Sequence, residues 1–337
     1  MTSTQLSLST VQQLADNALR AAGASDLQAS ALAAGVAAAE RDGISSHGLV
    51  YVPNYCEHLR CGKVLGQAQP EVQELKPGAI HVNAHSGFAH AAINAGFERL
   101  VPAAQNNGIA ALGVNNSYNC GVLAFHTERL AEQGLLAIGF TNAPASIAPH
   151  GGSTPVIGTN PFSMAVPGEN GVAFCIDQSA SVVAKSEIMA CARRGESIPE
   201  HWAKDSEGNP TSDPDAALKG SMSPSGGYKG FGVGLLVEIL AAAVSGASLG
   251  MDASPFSGTA GGPPKTGQFF LALDPGLFSG GSFPGQVMSL CDAIAGQEGA
   301  QLPGQKRAAH RLVADAEGVA VPAELVERLQ GMCDQGG

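Results

Sequence analysis

Apolar residues recur at helical spacing near the start of the chain. Val11, Leu14, Leu19 and Ala22 follow Ser9-Thr10, and an Ala-rich stretch runs from about Leu27 to Arg41. Together they predict a helical cap, with no strand signal before residue 79. Pro77-Gly78 then opens a β-like run from Ala79 to Val82, an amphipathic stretch spans Phe88 to Gln105, and a second apolar run covers Ile109 to Val114. That is a β, α, β succession. The pattern predicts a helix from Val122 to Gln133, strands at Leu135 to Phe140, Pro161 to Val166 and Val172 to Ile176, and a helix from Val182 to Arg194. The polar stretch Gly195 to Gly220, carrying Pro199, Pro210 and Pro214, predicts a long surface excursion. Lys229 to Ser245 is apolar and helical, Gly267 to Leu273 is a strand, and helix returns after Pro303. Helix at both ends around a central sheet predicts that the termini form one domain.

Length and charge narrow the function. A chain of 337 residues holds two or three core-forming units. With 44% apolar and 14% charged residues and 44 glycines, it reads as an Ala/Gly-rich α/β enzyme. A net charge of −11 without a basic stripe argues against nucleic-acid or anionic-membrane partners, so local donors must hold any anionic ligand. Seven scattered cysteines show neither a CxxC pair nor a metal-ligand spacing, which implies reduced thiols and no metal. Thr2 to Gln5 is polar and no run is long enough for a membrane span, so a soluble cytoplasmic protein is expected.

Candidate chemistry gathers at small-residue loops. His150-Gly151-Gly152 and Gly158-Thr159-Asn160-Pro161 flank the short apolar segment Thr154 to Ile157, where exposed N–H groups at a chain reversal suit a phosphate or carboxylate. Ser45-Ser46-His47-Gly48 follows the second helix; an imidazole there can donate a proton near neutral pH, and a capping or core role fits the position as well. The run Asn115 to Gly121 joins a strand to a helix, and Thr141-Asn142 ends the next strand in the same polar manner, which suggests a shared crevice. Asp177 ends an apolar strand, where it orients a histidine, binds a ribose hydroxyl or caps the helix after Ser181. Lys185 in that helix's first turn and Lys229 in Gly226-Gly227-Tyr228-Lys229-Gly230 stand at positive helix ends, which favours a nearby anion over a plain surface lysine only for Lys229. Cys120 and Cys175 have no histidine partner by spacing, so thiol catalysis is rejected. No GxGxxG follows a strand and no P-loop is present, so any dinucleotide is bound by another architecture.

These residues resemble the malate/L-lactate dehydrogenase-like NAD(P)-dependent oxidoreductases, a non-Rossmann family that includes Δ1-piperideine-2-carboxylate and Δ1-pyrroline-2-carboxylate reductases. The likeness rests on Ala38-Ala39-Glu40-Arg41-Asp42-Gly43, Ser46-His47-Gly48, His150-Gly151-Gly152, Gly158-Thr159-Asn160-Pro161, Gly226-Gly227-Tyr228-Lys229-Gly230, Thr266-Gly267-Gln268 and Leu302-Pro303-Gly304. It implies an α/β fold with a mixed, largely antiparallel sheet. It also implies a helical domain from residues 1–78 and 300–337, a mixed-sheet domain from 79–115 and 223–299, a cofactor domain from 116–222, and a homodimer. It implies that His47 is the general acid with Ser46 beside it and Asp177 in support. Asn142, His150, Gly152, Thr159, Asn160, Ser179, Lys185 and Lys229 would then lie near the cofactor, with NADP(H) favoured through Lys185 and NAD(H) the alternative. Two positions depart from the family. The usual carboxylate-binding arginine, four residues after the histidine, is Tyr51, and a common histidine is Asn119. A phenol at Tyr51 or Tyr55 donates a hydrogen bond but supplies neither charge nor fork. The expected activity is hydride transfer to a C=N or C=O carbon next to a carboxylate, most often in a cyclic imine; a 2-hydroxyacid dehydrogenase of malate, lactate or sulfolactate type is the alternative.

Overall fold

The computed structural model describes residues 2–334. Strand β1 (Ser3–Leu6) leads into helices α1 (Leu8–Ala21), α2 (Asp26–Arg41) and α3 (Val52–Arg60), then β2 (Glu71–Lys76), β3 (Ala79–Asn83), α4 (Ala89–Asn107) and β4 (Ile109–Ser117). The middle of the chain forms α5 (Leu123–Ala131), β5 (Leu136–Thr141), β6 (Phe162–Gly168), β7 (Gly171–Gln178), α6 (Lys185–Arg194), β8 (Ala203–Lys204), α7 (Pro214–Lys219) and β9 (Ser221–Met222). The last third forms α8 (Tyr228–Glu238), β10 (Thr266–Leu273), α9 (Pro275–Ser279), α10 (Phe283–Ala295), α11 (Gln305–Glu317), β11 (Val319–Pro322) and α12 (Ala323–Asp334).

Seven strands form one sheet in the order β2-β3-β4-β10-β5-β6-β7. Only β3 and β4 run parallel, joined by α4 as the crossover; every other neighbouring pair is antiparallel. This is the mixed, largely antiparallel sheet expected, and it differs from the all-parallel core of a doubly wound fold. β10 lies at its centre, apolar from Phe269 to Leu273, and Phe270 and Ala272 pack with Ile93, Phe97 and Leu100 of α4 in one buried cluster. The two chain ends meet: β1 pairs with β11 from Ser3↔Pro322 to Leu6↔Val319. Val11 and Leu14 of α1 share a core with Val326 and Leu329 of α12.

Several elements differ from the sequence expectation. β1 and β2 precede residue 79: β1 has its only partner at the far end of the chain, and β2 is an edge strand of polar residues, so neither carries a local apolar alternation. β4 continues through Asn115–Ser117, because β10 and β3 keep hydrogen-bonding there. The helix expected from Val182 starts at Lys185. The polar 195–220 stretch folds back as β8 and α7 on α6, and Ile188, Cys191, Ile198 and Met222 close a small core with Ile147 and Ile157. The large sheet runs across the boundaries expected at residues 78, 115 and 222, since it takes strands from either side of each. The apolar helix is interrupted after Glu238 by a π-helical turn, Ile239–Val244.

Candidate active site

The turn that carries His47 is fixed from three sides. Arg311 of α11 grips Asp42, just beyond α2, through hydrogen bonds of 2.6 and 2.7 Å. Gly43 then reverses the chain at a φ of 73°, and Ser45–His47 form a single 3-10 turn. Behind it the Leu49 N–H donates to Glu40 Oε1 at 2.7 Å. That bond passes over Gly48, where a Cβ would stand 2.1 Å from Oε1. Ser46 Oγ lies 3.1 Å from His47 Nδ1, which leaves Nε2 as the ring nitrogen for a ligand. Loss of surrounding water holds the imidazole below its usual pKa, while its surface stays open toward the pocket.

His47 lines a cavity of about 180 Å³ with Tyr51, Tyr55, Asn119, Thr159 and Phe256. The rings of Tyr51 and Tyr55 meet edge to face, 4.7 Å between centroids. Burial raises the pKa of both phenols, so they act as neutral donors. Asn119 Oδ1 accepts from the Tyr55 hydroxyl at 3.2 Å and from the Gly121 N–H at 3.2 Å. These two donors settle the amide's orientation and leave Nδ2 to donate into the cavity. Cys120 also lines it, but burial pushes its thiol up to about 12, which makes it a poor nucleophile. No lysine or arginine lines this cavity.

Thr141 and Asn142 form another wall, yet the Asn142 amide is committed elsewhere. Its Nδ2 donates to the Ser248 carbonyl at 2.9 Å and its Oδ1 accepts from the Gly267 N–H at 2.8 Å. Asn160 is fully buried, donates to the Gly234 carbonyl at 2.9 Å and to Glu238 Oε2 at 2.7 Å, and accepts from the Ala143 N–H. Both asparagines therefore brace the loops around the pocket with their side chains. Glu238, which the sequence reasoning missed, joins them: it receives the Gly250 N–H at 2.6 Å along with both amides. Its signal was available, since it is the one acidic residue in the apolar run from Tyr228 to Val244.

A second cavity, about 200 Å³, opens beside His150 and Gly152. Lys204, Ser221 and Gly227 line it as well. Ser221 Oγ is buried there without a hydrogen-bond partner among the described residues, a polar atom suited to a ligand oxygen. Lys204 was missed because it lies in the stretch read as a surface excursion. Tyr228 brings its ring to 6.1 Å from that of His150, and Lys229 follows on the exposed first turn of α8. Lys185 is the first residue of α6 and is exposed. Ser179 Oγ shares a hydrogen bond with Ser181 Oγ at 3.0 Å ahead of that helix.

Asp177 lines a different cavity from His47. It shares that cavity with Ile44, Gly304 and Arg307, and its Oδ2 accepts from the Ala124 N–H at 3.0 Å and from Arg307 at 3.4 Å. It caps α5, not the helix after Ser181. Burial raises its pKa to about 6, against the pull of the Ala124 N–H and Arg307.

A serine-backed histidine thus lines a neutral pocket on a mixed sheet that differs from the parallel core of the Rossmann enzymes. The chain belongs to the malate/L-lactate dehydrogenase family, whose model matches residues 6–330, and it is an oxidoreductase that uses a nicotinamide cofactor. It is 41% identical to a (2R)-3-sulfolactate dehydrogenase (NADP(+)) of Chromohalobacter salexigens, over 97% of this chain and 98% of that one. It is 36% identical to a Δ1-pyrroline-2-carboxylate reductase of Ancylobacter novellus, over 98% of each. Its structure is similar to that of Δ1-piperideine-2-carboxylate reductase from Pseudomonas syringae, with a TM-score of 0.93, 32% identity and coverage of 98% of this chain and 99% of that one.

Proposed function

We propose that this chain is an NAD(P)H-dependent reductase that adds hydride to the carbon of a C=N or C=O group next to a carboxylate, with a Δ1-pyrroline- or Δ1-piperideine-2-carboxylate as substrate. The observation that carries the proposal is the uncharged lining around His47. Phenols, one amide and an aromatic wall suit a small monoanion with a ring body, and they offer no ammonium or guanidinium to a second anionic group. The relatives named as Δ1-pyrroline-2-carboxylate reductases support the same substrate class. The 41% identity to a sulfolactate dehydrogenase favours a second reading, a 2-hydroxyacid dehydrogenase; the neutral lining weighs against its dianionic substrate.

When bound, the reduced nicotinamide supplies the hydride. Protonated His47 donates from Nε2 to the substrate nitrogen or oxygen as the double bond becomes single, and Ser46 holds the ring by its Nδ1. Asn119 Nδ2 would donate to the carboxylate end, and the Tyr51 and Tyr55 rings wall it in, since their hydroxyls already donate to the Phe256 carbonyl and to Asn119 Oδ1. His150, Gly152, Lys204 and Ser221 would hold the cofactor's anionic groups as a cradle, and Thr159, which lines the His47 cavity, would stand near its reactive end. Lys185, Ser179 and Lys229 would extend that cradle, and Lys185 favours NADP(H) over NAD(H). Asp177 supports the site through α5 and α11 rather than by touching substrate. Leu235, Leu236 and Ile239, together with Met288 and Leu290 of α10, stay exposed in the single chain, which supports a homodimer. The scattered cysteines, with no CxxC pair, fit a reducing cytosol.

Loss of absorbance from NADPH and NADH, followed with both cyclic imino acids, pyruvate, oxaloacetate and sulfopyruvate, tests the proposal. Turnover of the cyclic imino acids is expected. Turnover of sulfopyruvate or oxaloacetate alone would replace it with the 2-hydroxyacid reading.

A further inference from the structure

Residues 251–264 form an irregular, mostly exposed loop, yet Phe256 turns inward from it. Its ring reaches 5.2 Å from that of Tyr118 and lines the His47 cavity. Four consecutive carbonyls hold the segment down, and the hydrogen bonds that reach them come from side chains of residues 51–63. Lys63 Nζ donates to the Pro255 carbonyl at 2.7 Å and to the Ser257 carbonyl at 3.4 Å. Tyr51 Oη donates to the Phe256 carbonyl at 3.4 Å. His58 Nε2 donates to the Gly258 carbonyl at 3.1 Å, which makes its Nδ1 the acceptor for the Tyr118 hydroxyl at 2.5 Å.

Lys63 is the unusual member. It is 0% exposed, and an ammonium is rarely buried this way without an acidic partner. Here its charge is met by carbonyl oxygens of a loop that has no regular structure of its own. Such bonds are charge-assisted, and giving them up would strand a buried cation, so the loop is bound more firmly than its composition implies. The tyrosine that stands where the family has arginine thus contributes its hydroxyl to the loop's backbone.

We propose that Lys63, His58 and Tyr51 form a clasp that fixes Phe256 as one wall of the substrate pocket, so that the site selects carboxylates carrying a ring or apolar body at the reacting carbon. Lys63 and His58 are positioning residues that act through Phe256. The substrate class rests on the reductase reading above; the clasp itself does not.

The test is a double-mutant cycle on the full-length enzyme with Lys63→Met, Phe256→Ala and the pair. The readouts are KM and kcat for Δ1-piperideine-2-carboxylate, the affinity for NADPH by fluorescence, and hydrogen exchange over residues 252–264. Each single variant should raise KM about tenfold with kcat and NADPH affinity nearly unchanged, and the pair should be no worse than Phe256→Ala. Lys63→Met should also speed exchange in the loop. Additive effects on KM, or unchanged exchange in Lys63→Met, would overturn the clasp. Where the cyclic imine is not turned over, the reductase reading fails and hydrogen exchange alone decides the clasp. Should Lys63→Met not fold, His58→Leu replaces it in the same cycle with the same expected and contrary results.

Discussion

At His47 the chemistry turns on one proton. His47→Ala should lower turnover by roughly 10² to 10⁴ while NADPH affinity stays within about twofold, as measured by steady-state kinetics and fluorescence titration. Water excluded from the ring lowers its pKa, so the fraction of free enzyme holding the proton falls once pH passes a value below 6.5. The pH profile of kcat/KM for reduction should therefore break below 6.5; a break well above neutrality would contradict His47 as the donor. Asn119→Asp keeps an acceptor for Tyr55 and Gly121 but turns the cavity-facing donor into an anion. KM for the carboxylate substrate should rise about a hundredfold, and an unchanged KM would remove Asn119 from the site. His47 was legible because a histidine between hydroxyls and glycine after a helix is a local pattern. Glu238 and Lys63 act through partners between 12 and 194 residues away, and Lys204 reaches its cavity by pairing with Ser221 of β9, so no short window of sequence shows what these side chains meet.

At the level of elements, α11 braces the catalytic turn. Arg311 binds Asp42 twice and reaches Glu128 of α5 at 2.5 Å, while Arg307 beside it contacts Asp177. Arg311→Met would leave a carboxylate that is 6% exposed without its cation, at a cost of about 3 kcal/mol. Thermal unfolding should show a drop of several degrees, and an unchanged melting point would mean that the brace is dispensable. Gly48→Ala is a sharper local test. The added Cβ displaces Glu40 and its bond to Leu49, so activity should fall severely while the α1, α2 and α12 core still melts cooperatively. The elements easiest to read were those with a one-sided apolar period, such as α4 and β10. β2 escaped because its polar residues sit on the sheet's edge, and β8 and α7 because prolines and charges mask a core shared with Ile147 and Ile157.

For the molecule as a whole, two histidines unrelated to turnover set its tolerance of acid. His90 and His126 are buried with ring centroids 5.1 Å apart, and the Nδ1 of each has no partner among the described residues. Burial lowers both pKa values, that of His126 to about 3. Folded values below the unfolded one mean that their stabilisation is complete above pH of about 6.5 and is lost as pH falls, by up to about 1.4 kcal/mol per unit for each. Asp177 runs the other way: its folded pKa of about 6 exceeds the unfolded value, so its contribution is full in acid and lost as pH rises through 6. With two groups against one, denaturant midpoints should fall between pH 6.5 and 4.5, and the double variant His90→Leu with His126→Leu should flatten that fall. The measurement that bears most directly on the whole is the fate of a labelled hydride: NADPH deuterated at the transferable position, Δ1-piperideine-2-carboxylate, and mass spectrometry of the product. One deuterium on the carbon that bears the carboxylate, formed rapidly by the native enzyme and very slowly by His47→Ala, is the expected result. Deuterium elsewhere, or equal rates in the two proteins, would contradict hydride addition assisted by His47.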